Sequence, residues 1–598
     1  MISSKRITLF AFILTGMVVV LTFVAILFPD ELATEISTGT IEYSNEHKIS
    51  LMDNDYYAKP SSSDDIVLSG NTAATNSRNV QIEGNEIIIL GGGYYTVTGE
   101  ITDGSIIINS EDANPVFLML DSASITSSDF SAIYVKQATK VIISAKSGTT
   151  NYLTDASEYN EEKQTEEKPD AVIYSKDDLT INGDGILNIT GNYADGIKAN
   201  DDLKIIGANI NVTTVDEGIN ANNYAYISDS SLNITSGGDG IKCEEEINDK
   251  GFVVVENSKI DITSGGDGVS ASSSAYIKLS DFNIVSGGGA QNAQSHHMEF
   301  GGFDRREESS EETDSASTKG IKAVNNLNIT DGSFNIDSSD DALHTDNNLN
   351  IKGGSFVILS GDDAVHAGNT AILEPQSIDI QKCYEGIEGA FITINGGEIK
   401  INSSDDGINA TGLNSTSGMP PMMMNNSNQA EKTADEDVYL ILNGGNIYIE
   451  ASGDGFDSNG SAVINGGTLQ IYGPENSGNG SIDVGDGGYV LIINGGTLFA
   501  AGSSGMAESP HDSSTQNTLV FYLDEYKNAG SEIMITDSDG NIIISETSDK
   551  KFNWICLSDE KLTVDKTYTL KINGEEIASL ECTGAVAEYG NQRVGRMR

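Results

Sequence analysis

Short runs of alternating apolar and polar residues fill most of the chain from about residue 65 onwards. One stretch reads Leu349–Ile351, a Gly353-Gly354 break, Ser355–Ile358, a Ser360–Asp363 break and then Ala364–Ala367. Alternation with a period of two is typical of strands, and Gly, Asn, Asp and Ser are typical of the bends between them. The pattern therefore predicts three short strands and three bends in about 22 residues.

The same pattern recurs along the chain as a small residue followed by an apolar one. The recurring dipeptides are Gly196-Ile197, Gly218-Ile219, Gly240-Ile241, Gly268-Val269, Gly320-Ile321, Ala342-Leu343, Ala364-Val365, Gly386-Ile387, Gly407-Ile408 and Gly455-Phe456. Most steps are 21 or 22 residues, and an internal period of this length is typical of a solenoid. We therefore expect an all-β fold, a right-handed parallel β-helix with coils of about 22 residues.

Breaks in this pattern predict the domain organisation. Residues 65–510 are predicted to form the β-helix domain, with low-complexity loop insertions at 289–318 and 412–436. From 515 to 585 the 22-residue period ends, and the strand-like runs include an Asp539-Gly540 hairpin signal. We expect a small C-terminal antiparallel β-domain there, then a tail at 586–598, and a linker at 30–64.

The first 29 residues look like a signal anchor or signal peptide. Lys5 and Arg6 precede 22 uncharged, mostly apolar residues, Ile7 to Phe28, a length that can span a bilayer. No clear cleavage site follows, so an uncleaved N-terminal transmembrane anchor is favoured over a cleaved signal peptide. Either reading places residues 30–598 outside the cell.

Charge and cysteine content narrow the function classes. The formal net charge is −55, from 34 basic and 89 acidic residues, which argues against nucleic acid as a partner. Four cysteines in 598 residues are too few for a disulfide scaffold. Cys243 and Cys383 fall at apolar repeat positions, and a bond between Cys556 and Cys582 is left open.

Acidic residues occupy the position before the recurring small residue in almost every coil. That position holds Asp170, Asp195, Glu217, Asp239, Asp267, Lys319, Asp341, Asp363, Glu385, Asp406 and Asp454, and the preceding residue is also acidic at Asp216, Asp340, Asp362 and Asp405. Two charges about 4.8 Å apart repel by about 3.5 kcal/mol at an effective dielectric constant of about 20. Calcium, with its six to eight oxygen ligands, would relieve that repulsion. The simpler alternative is that aspartate is a good, solvated bend residue.

Outward positions just after the bend carry the other candidate residues. Lys198, Lys242, Lys322, His344 and His366 lie there and are candidates for ligand binding. Two stacked histidines can bind zinc, but a ring-stacking surface pair is the favoured interpretation.

Several stretches resemble one known family. They are GGGYYTVTGEITDGSIIIN (91–109), VFLMLDSASITSSDFSAIYV (116–135), TNYLTD (150–155) and DGIKANDDLKI (195–205). Together they resemble the calcium-binding β-helix family of clostridial-type bacterial carbohydrate-binding domain-containing proteins, which is similar in fold to pectate lyases. The resemblance implies Ca²⁺ along the bends and binding of acidic plant polysaccharide (polygalacturonate, pectin) or cellulose. The paired acids named above would then be calcium ligands, and Lys319 breaks the series.

Three functions stay open at this point. A calcium-dependent pectate lyase acting by β-elimination needs a lysine or arginine base, and no arginine lies between Arg78 and Arg305. Lys198, Lys242 and Lys322 are the remaining candidates for that base. A calcium-stiffened adhesin or stalk would bind no sugar. We expect a monomeric, surface-anchored polysaccharide-binding protein without catalysis, whose partners are a polysaccharide and the membrane.

Overall fold

The computed structural model describes residues 39–57, 60–163, 168–247, 249–293, 317–412, 438–485 and 488–591. The chain divides into two units, Met1–Asp53 and Asn54–Arg598. In the first unit, β1 (Gly39–Glu42) and β2 (Lys48–Leu51) pair as an antiparallel hairpin. Two 3-10 helices, Asp53–Asp55 and Ala290–Asn292, are the helices of the described residues.

The second unit begins with seven strands in which both kinds of pairing occur. They are β3 (Asp64–Gly70), β4 (Thr72–Thr75), β5 (Val80–Glu83), β6 (Glu86–Ile89), β7 (Gly93–Ile101), β8 (Ser105–Asn109) and β9 (Val116–Thr126). β3 with β4 and β5 with β6 are antiparallel hairpins, whereas β3 with β7, β6 with β8 and β7 with β9 are parallel.

Thirty-seven short strands follow, in a regular order. The first eighteen are β10 (Ile133–Gln137), β11 (Val141–Ala145), β12 (Thr150–Thr154), β13 (Ala171–Ser175), β14 (Leu179–Asn182), β15 (Ile186–Gly191), β16 (Asp195–Ala199), β17 (Asp202–Ile206), β18 (Asn209–Thr214), β19 (Ile219–Ala221), β20 (Tyr224–Ser228), β21 (Ser231–Ser236), β22 (Ile241–Cys243), β23 (Phe252–Glu256), β24 (Lys259–Ser264), β25 (Val269–Ala271), β26 (Ser274–Lys278) and β27 (Ser280–Ser286). The others are β28 (Ile321–Ala323), β29 (Asn326–Ile329), β30 (Gly332–Ser338), β31 (Leu343–Thr345), β32 (Asn348–Ile351), β33 (Ser355–Ser360), β34 (Val365–Leu373), β35 (Ser377–Cys383), β36 (Ile387–Ile394), β37 (Glu398–Ser403), β38 (Ile408–Ala410), β39 (Tyr439–Leu442), β40 (Asn446–Glu450), β41 (Phe456–Ser458), β42 (Ser461–Ile464), β43 (Thr468–Tyr472), β44 (Ile482–Val484), β45 (Leu491–Ile493) and β46 (Thr497–Gly502).

These strands pair in parallel as three ladders. The first ladder runs from β10 through β13, β16, β19 and onwards to β44, the second from β11 to β45, and the third from β12 to β46. A repeat is one strand from each ladder. Lys198 pairs with Asn220 and Asn220 pairs with Lys242, so equivalent residues of successive repeats lie side by side.

Apolar side chains of all three ladders point inward and form one continuous core. Ile197, Ile219 and Ile241, one repeat apart, are fully buried. The preceding small residue is required by close packing: a Cβ on Gly240 would lie 2.6 Å from the carbonyl oxygen of Gly268. The alternating apolar and polar positions of the sequence are therefore the positions that face this core and the surface, respectively.

Seven more strands end the described chain. They are β47 (Thr518–Lys527), β48 (Ser531–Asp537), β49 (Ile542–Ser548), β50 (Phe552–Ser558), β51 (Thr567–Ile572), β52 (Glu575–Glu581) and β53 (Val586–Tyr589). β50 pairs antiparallel with both β46 and β47, and β47 pairs in parallel with β53. β49, β48, β51 and β52 form a separate four-stranded antiparallel sheet.

The all-β prediction is confirmed, but the predicted right-handed parallel β-helix with a small separate C-terminal domain is wrong. Forty-seven of the described strands form one mixed sheet, which includes antiparallel pairs at both ends. β47, β50 and β53, predicted to belong to the separate domain, are part of this sheet. β50 is buried at every position, so it gains more by pairing within the large sheet than at the edge of a small one.

The predicted N-terminal transmembrane anchor is also not supported. Residues 7–28 lie outside the described residues, and no helix among those described is long and apolar enough to cross a membrane. Most of the predicted insertions, at 294–316 and 413–437, likewise lie outside them, and the predicted domain boundaries stay a prediction. All four cysteines are buried and free, so Cys556 and Cys582 are not bonded.

Candidate functional site

The predicted acidic residues lie at the turn between a third-ladder strand and the next first-ladder strand. We call the series Asp170, Asp195, Glu217, Asp239, Asp267, Lys319, Asp341, Asp363, Glu385, Asp406 and Asp454 the acidic column. We call their neighbours on the outward face of the first ladder the outer column, whose members pair in register: Lys198, Asn220, Lys242, Ser270, Lys322, His344, His366, Glu388, Asn409, Asp457 and Asp483.

One oxygen of several carboxylates in the acidic column is used by the backbone of the next repeat. Oδ1 of Asp239 accepts the Asp267 N–H at 2.7 Å, and Oδ1 of Asp267 accepts the Lys319 N–H at 2.7 Å. Oδ1 of Asp341 accepts the Asp363 N–H at 3.0 Å. The acid is therefore a structural acceptor at the bend, while its second oxygen is left to face the outer column. The simpler alternative expected a bend residue in solvent, whereas Asp267 and Asp341 are buried.

Lysines of the outer column use that second oxygen. Nζ of Lys198 lies 3.1 Å from Oδ2 of Asp170 and 3.6 Å from Oδ2 of Asp195. Nζ of Lys242 lies 2.7 Å from Oε1 of Glu217. Nζ of Lys322 lies 4.0 Å from Oδ2 of Asp267. The protein thus supplies its own cations to this part of the column.

The central repeats are compensated by Lys319 and a histidine. Nζ of Lys319 lies 2.8 Å from Oδ1 of Asp340 and 3.0 Å from Oδ2 of Asp341, and Nδ1 of His344 lies 2.6 Å from the same Asp341 oxygen. Burial alone would raise the pKa of Asp341, but the bond to His344 and the Lys319 charge outweigh it and hold that pKa well below its usual range. His344 also contacts Asp346 through Nε2, at 2.9 Å.

The next histidine lies between two acids. Nδ1 of His366 is 3.1 Å from Oδ2 of Asp363 and 2.8 Å from Oε2 of Glu388. Burial lowers the pKa of His366, yet hydrogen bonds with Asp363 and Glu388 outweigh burial and raise that pKa to about 11. The ring is therefore an imidazolium at neutral pH and acts as a fixed cation.

In the following repeats, four acidic side chains are not paired with a basic residue among those described. Among the described residues, Glu385, Asp406, Asp454 and Asp457 make no ion pair with lysine, arginine or histidine. Burial, followed by repulsion from Asp454 and Glu385, raises the pKa of Asp406 to about 8. Burial, followed by repulsion from Glu388, raises the pKa of Glu385 to about 7. Burial raises the pKa of Asp454 to about 7, and the pKa of Asp457 is raised well above its ordinary value for the same reasons. These buried carboxylates therefore interact with one another with no ion pair to a cationic residue among those described.

Asn409 adds an unused oxygen to this group. Its Nδ2 donates to Oε2 of Glu385 at 3.0 Å, whereas its buried Oδ1 has no hydrogen-bond partner. Asn409 pairs in register with Glu388 on one side and Asp457 on the other. Carboxylate and amide oxygens are the ligands that calcium prefers, so the donor types suit Ca²⁺. Within the described part of the chain, no three carboxylates of this group have oxygens within 4.8 Å of one another, so a shared ion would require their side chains to turn toward it. We call Glu385, Asp406, Asn409, Asp454 and Asp457 the uncompensated cluster.

Asn220 has a similar arrangement among charged neighbours. Its Nδ2 donates to Oδ2 of Asp195 at 3.1 Å, and its buried Oδ1 has no partner. Burial, with the nearby Glu217, raises the pKa of Asp195 to about 8. Lys198 and Lys242 flank Asn220, so a cation is less needed here than at Asn409.

The predicted metal ligands fall into separate groups rather than one continuous site. Ligand oxygens of Asp195, Asp216 and Glu217 lie within 4.8 Å of one another, and so do those of Asp340, Asp341 and Asp362. Asp239 and Asp267 contact each other's turns, and Asp405 adjoins the uncompensated cluster, where repulsion from it helps raise the pKa of Asp406. Asp363 is shared between His366 and the turn of Asp341.

Some residues of interest were missed from the sequence. Asn409, Asp457 and Asp483 stand in the outer column, where the mixture of residue types hid their proximity to the acids. A second acidic group, Asp178, Asp201 and Asp202, lies at the turn that leads into the second ladder. This group could have been predicted from the sequence, because the acidic pairs Asp177-Asp178 and Asp201-Asp202 are one repeat apart.

Comparison with known proteins gives one family. Residues 83–364 match the family described as carbohydrate-binding domain-containing protein. A protein of that description from Acetivibrio thermocellus is 40% identical over 139 residues, which cover 23% of this chain and 49% of that protein. The chain therefore matches about half the length of this curated relative.

One solved structure is also similar, a polysaccharide lyase-like protein from C. thermocellum studied as a gadolinium derivative. The sequence identity is 33%, the match covers 38% of this chain and 92% of that chain, and the TM-score is 0.36. The resemblance predicted from the sequence is thus confirmed as a carbohydrate-binding family match over residues 83–364, while calcium binding and a pectate-lyase fold are not confirmed by it.

Proposed function

We propose that the protein is a calcium-dependent, non-catalytic polysaccharide-binding protein of the cell surface. The family match supports a carbohydrate ligand. The observation that carries the calcium dependence is the uncompensated cluster, in which buried acidic side chains raise one another's pKa with no ion pair to a cationic residue among those described, next to the unpartnered Oδ1 of Asn409.

Acidic plant polysaccharide such as polygalacturonate is the ligand that this arrangement favours, and cellulose is the second candidate. A chain with a formal charge of −55 repels a polyanion at long range. Bound calcium supplies positive charge and free coordination positions for a uronate carboxylate. Asp406, Asp454 and Asp457 would hold the ion, and Asn409 would orient it through its amide oxygen.

The lysines of the outer column argue against β-elimination. Burial would lower the pKa of Lys198, but the charges of Asp195 and Asp170 outweigh it and raise that pKa. The pKa of Lys242 is raised as well, because hydrogen bonding to Glu217 outweighs burial. A base must be free of its proton before it can accept another, and these ion pairs keep both ammonium groups protonated. Binding without cleavage is therefore the function we propose, and Lys322, whose Nζ lies 4.0 Å from Oδ2 of Asp267, is the remaining candidate base.

The test is retention of the full-length chain on immobilised polygalacturonate, in calcium and in excess EGTA, with unsaturated product measured in the same samples. We expect retention in calcium, loss in EGTA and no product. Asp457→Asn should weaken retention, and Asp539→Asn, an exposed hairpin residue, is the matched control. Product formation would replace this proposal with a lyase, and absence of retention on any glycan would favour a stalk.

A further inference from the structure

His366 and Glu388 lie side by side on the outward face of the first ladder, and Asp363 lies at the turn before His366. His366 of β34 pairs in register with Glu388 of β36. Nδ1 of His366 lies 3.1 Å from Oδ2 of Asp363 and 2.8 Å from Oε2 of Glu388. One ligand atom from each of the three residues lies within 4.8 Å of the other two. We call these three residues the histidine–carboxylate group.

The separations between these atoms suit a small metal ion. Zinc binds imidazole nitrogen at about 2.0–2.1 Å and carboxylate oxygen at about 2.0–2.2 Å with tetrahedral angles, so neighbouring ligand atoms lie about 3.3 Å apart. The observed separations of 3.1 and 2.8 Å fall short of that by only a few tenths of an ångström. Calcium is less suited, because it takes six to eight oxygen ligands, whereas imidazole nitrogen is a ligand of transition metals.

The charges of the group also suit a divalent ion. The proton on Nδ1 of His366 lies between the carboxylates of Asp363 and Glu388. A divalent ion that takes the place of this proton meets a neutral imidazole and two negative charges, so the occupied group has no net charge. The displaced proton passes to solvent, as it does wherever histidine binds a metal. The same two carboxylates that attract the proton therefore attract the ion.

The neighbouring histidine is less available to a metal. Nδ1 of His344 and Nζ of Lys319 both contact Oδ2 of Asp341, at 2.6 and 3.0 Å. Within the described part of the chain, by contrast, neither Asp363 nor Glu388 makes an ion pair with lysine or arginine. An ion would therefore compete with a lysine at Asp341, but only with a proton between Asp363 and Glu388.

The group is both ordered and accessible. The ring of His344 stacks on that of His366 and restricts its rotation. The side chain of Asp363 is 9% exposed, and those of His366 and Glu388 are 25% and 21% exposed. An ion from solvent can therefore reach ligands that are already held in place, which lowers the cost of ordering them.

We propose that Asp363, His366 and Glu388 bind a divalent transition-metal ion such as Zn²⁺. This site lies beside the uncompensated cluster, since Glu388 pairs in register with Asn409, but it shares no ligand with that cluster. Two successive repeats supply the ligands, so the ion joins β34 to β36. Three protein ligands leave a fourth position for water or for an oxygen of a bound molecule. The proposal goes beyond polysaccharide binding and does not depend on it.

The experiment is calorimetric titration of Zn²⁺ into chelator-treated, full-length protein, in buffer that contains millimolar calcium. The wild type should bind zinc despite the calcium. His366→Asn removes the nitrogen ligand, and Glu388→Gln keeps the shape of the side chain but removes its charge. Each variant should bind zinc at least about tenfold more weakly than the wild type. The visible absorption of Co²⁺, added in place of Zn²⁺, should fall in both variants.

Glu374→Gln and His511→Asn are the matched controls, because both residues are exposed, and both variants should titrate like the wild type. Circular dichroism of the metal-free proteins separates a lost ligand from a lost fold. Absence of zinc binding by the wild type would overturn the proposal. Wild-type affinity in His366→Asn or in Glu388→Gln would overturn it as well, and so would displacement of zinc by millimolar calcium.

Discussion

The imidazole rings of His344 and His366 stack with their centroids 4.8 Å apart and their planes 9° from parallel. They come from the two copies of an acidic segment, Asp340–His344 and Asp362–His366, which lie one repeat apart. Each ring contacts the last aspartate of its own copy, Asp341 or Asp363. The repeated segment is thus one turn used twice, in which the side chain beside each aspartate is a histidine of the same turn.

Replacing His366 should therefore make the central repeats depend on an added cation. His366→Asn keeps a side chain of similar size but removes the charge between Asp363 and Glu388. In EGTA we expect a loss of unfolding free energy of about 1.5–3 kcal/mol, the usual worth of a hydrogen bond to a charged group. Millimolar calcium should restore more stability to this variant than it adds to the wild type. Thermal unfolding in the two buffers measures both effects.

His511→Asn serves as the control for this substitution, because His511 is exposed and, within the described part of the chain, its ring accepts only the backbone N–H of Ser513. If His366→Asn and His511→Asn lose the same stability, the histidine is a surface residue and not a fixed cation.

The small residue after each acid should be as necessary as the acid itself. In Gly240→Val the new side chain would meet both the carbonyl oxygen of Gly268 and the side chain of Ile262. We expect a cost of about 1–3 kcal/mol or more, as for other overpacked sites. Gly584→Val, where nothing lies within 4 Å of the new Cβ, should cost much less. Urea denaturation compares the two, and equal costs would contradict close packing at this turn.

Asp155 should give the calcium-free protein a defined pH dependence. Burial raises its pKa to about 6, despite hydrogen bonds from the Asn192 N–H and the Tyr159 hydroxyl. The folded state then holds the proton more tightly than the unfolded state, so this contribution to stability is lost as pH rises from about 4 through about 6. Asp155→Asn should flatten that part of the profile and add on the order of 1–3 kcal/mol at pH 7.

The measurement is unfolding free energy against pH in EGTA, with the exposed Asp512→Asn as control. A profile for Asp155→Asn that is parallel to the wild-type profile between pH 4 and pH 6 would rule out this assignment.

The repeat itself could be predicted from the sequence, because strand alternation and the recurring small residue are local signals. The in-register pairs of Lys198, Asn220 and Lys242 follow directly from that period. The architecture at the two ends could not be predicted in the same way. Whether β50 pairs within a small domain or with β46 depends on which surfaces are buried together, and that depends on residues far apart in the chain.

The candidate site was predicted in part. The acidic column was correctly located at the bends, yet the sequence argument assumed that only bound cations could relieve its repulsion. In the central repeats Lys319, His344 and His366 contact the acids instead. The sequence period could not predict these contacts, because it does not show which neighbour a side chain turns toward. Asp340, Asp341, Asp362 and Asp363 as calcium ligands therefore stay a prediction, and the uncompensated cluster around Asn409, which makes no ion pair with a cationic residue among those described, is a second candidate.

Calorimetric titration of calcium into chelator-treated, full-length protein tests this account most directly. The wild type should bind calcium, and Asp406→Asn/Asp457→Asn should lose most of that binding, because it removes two charged ligands from the uncompensated cluster. Asp539→Asn should titrate like the wild type. Absence of calcium binding by the wild type, or unaltered binding by the double variant, would contradict the claim that the uncompensated cluster holds calcium.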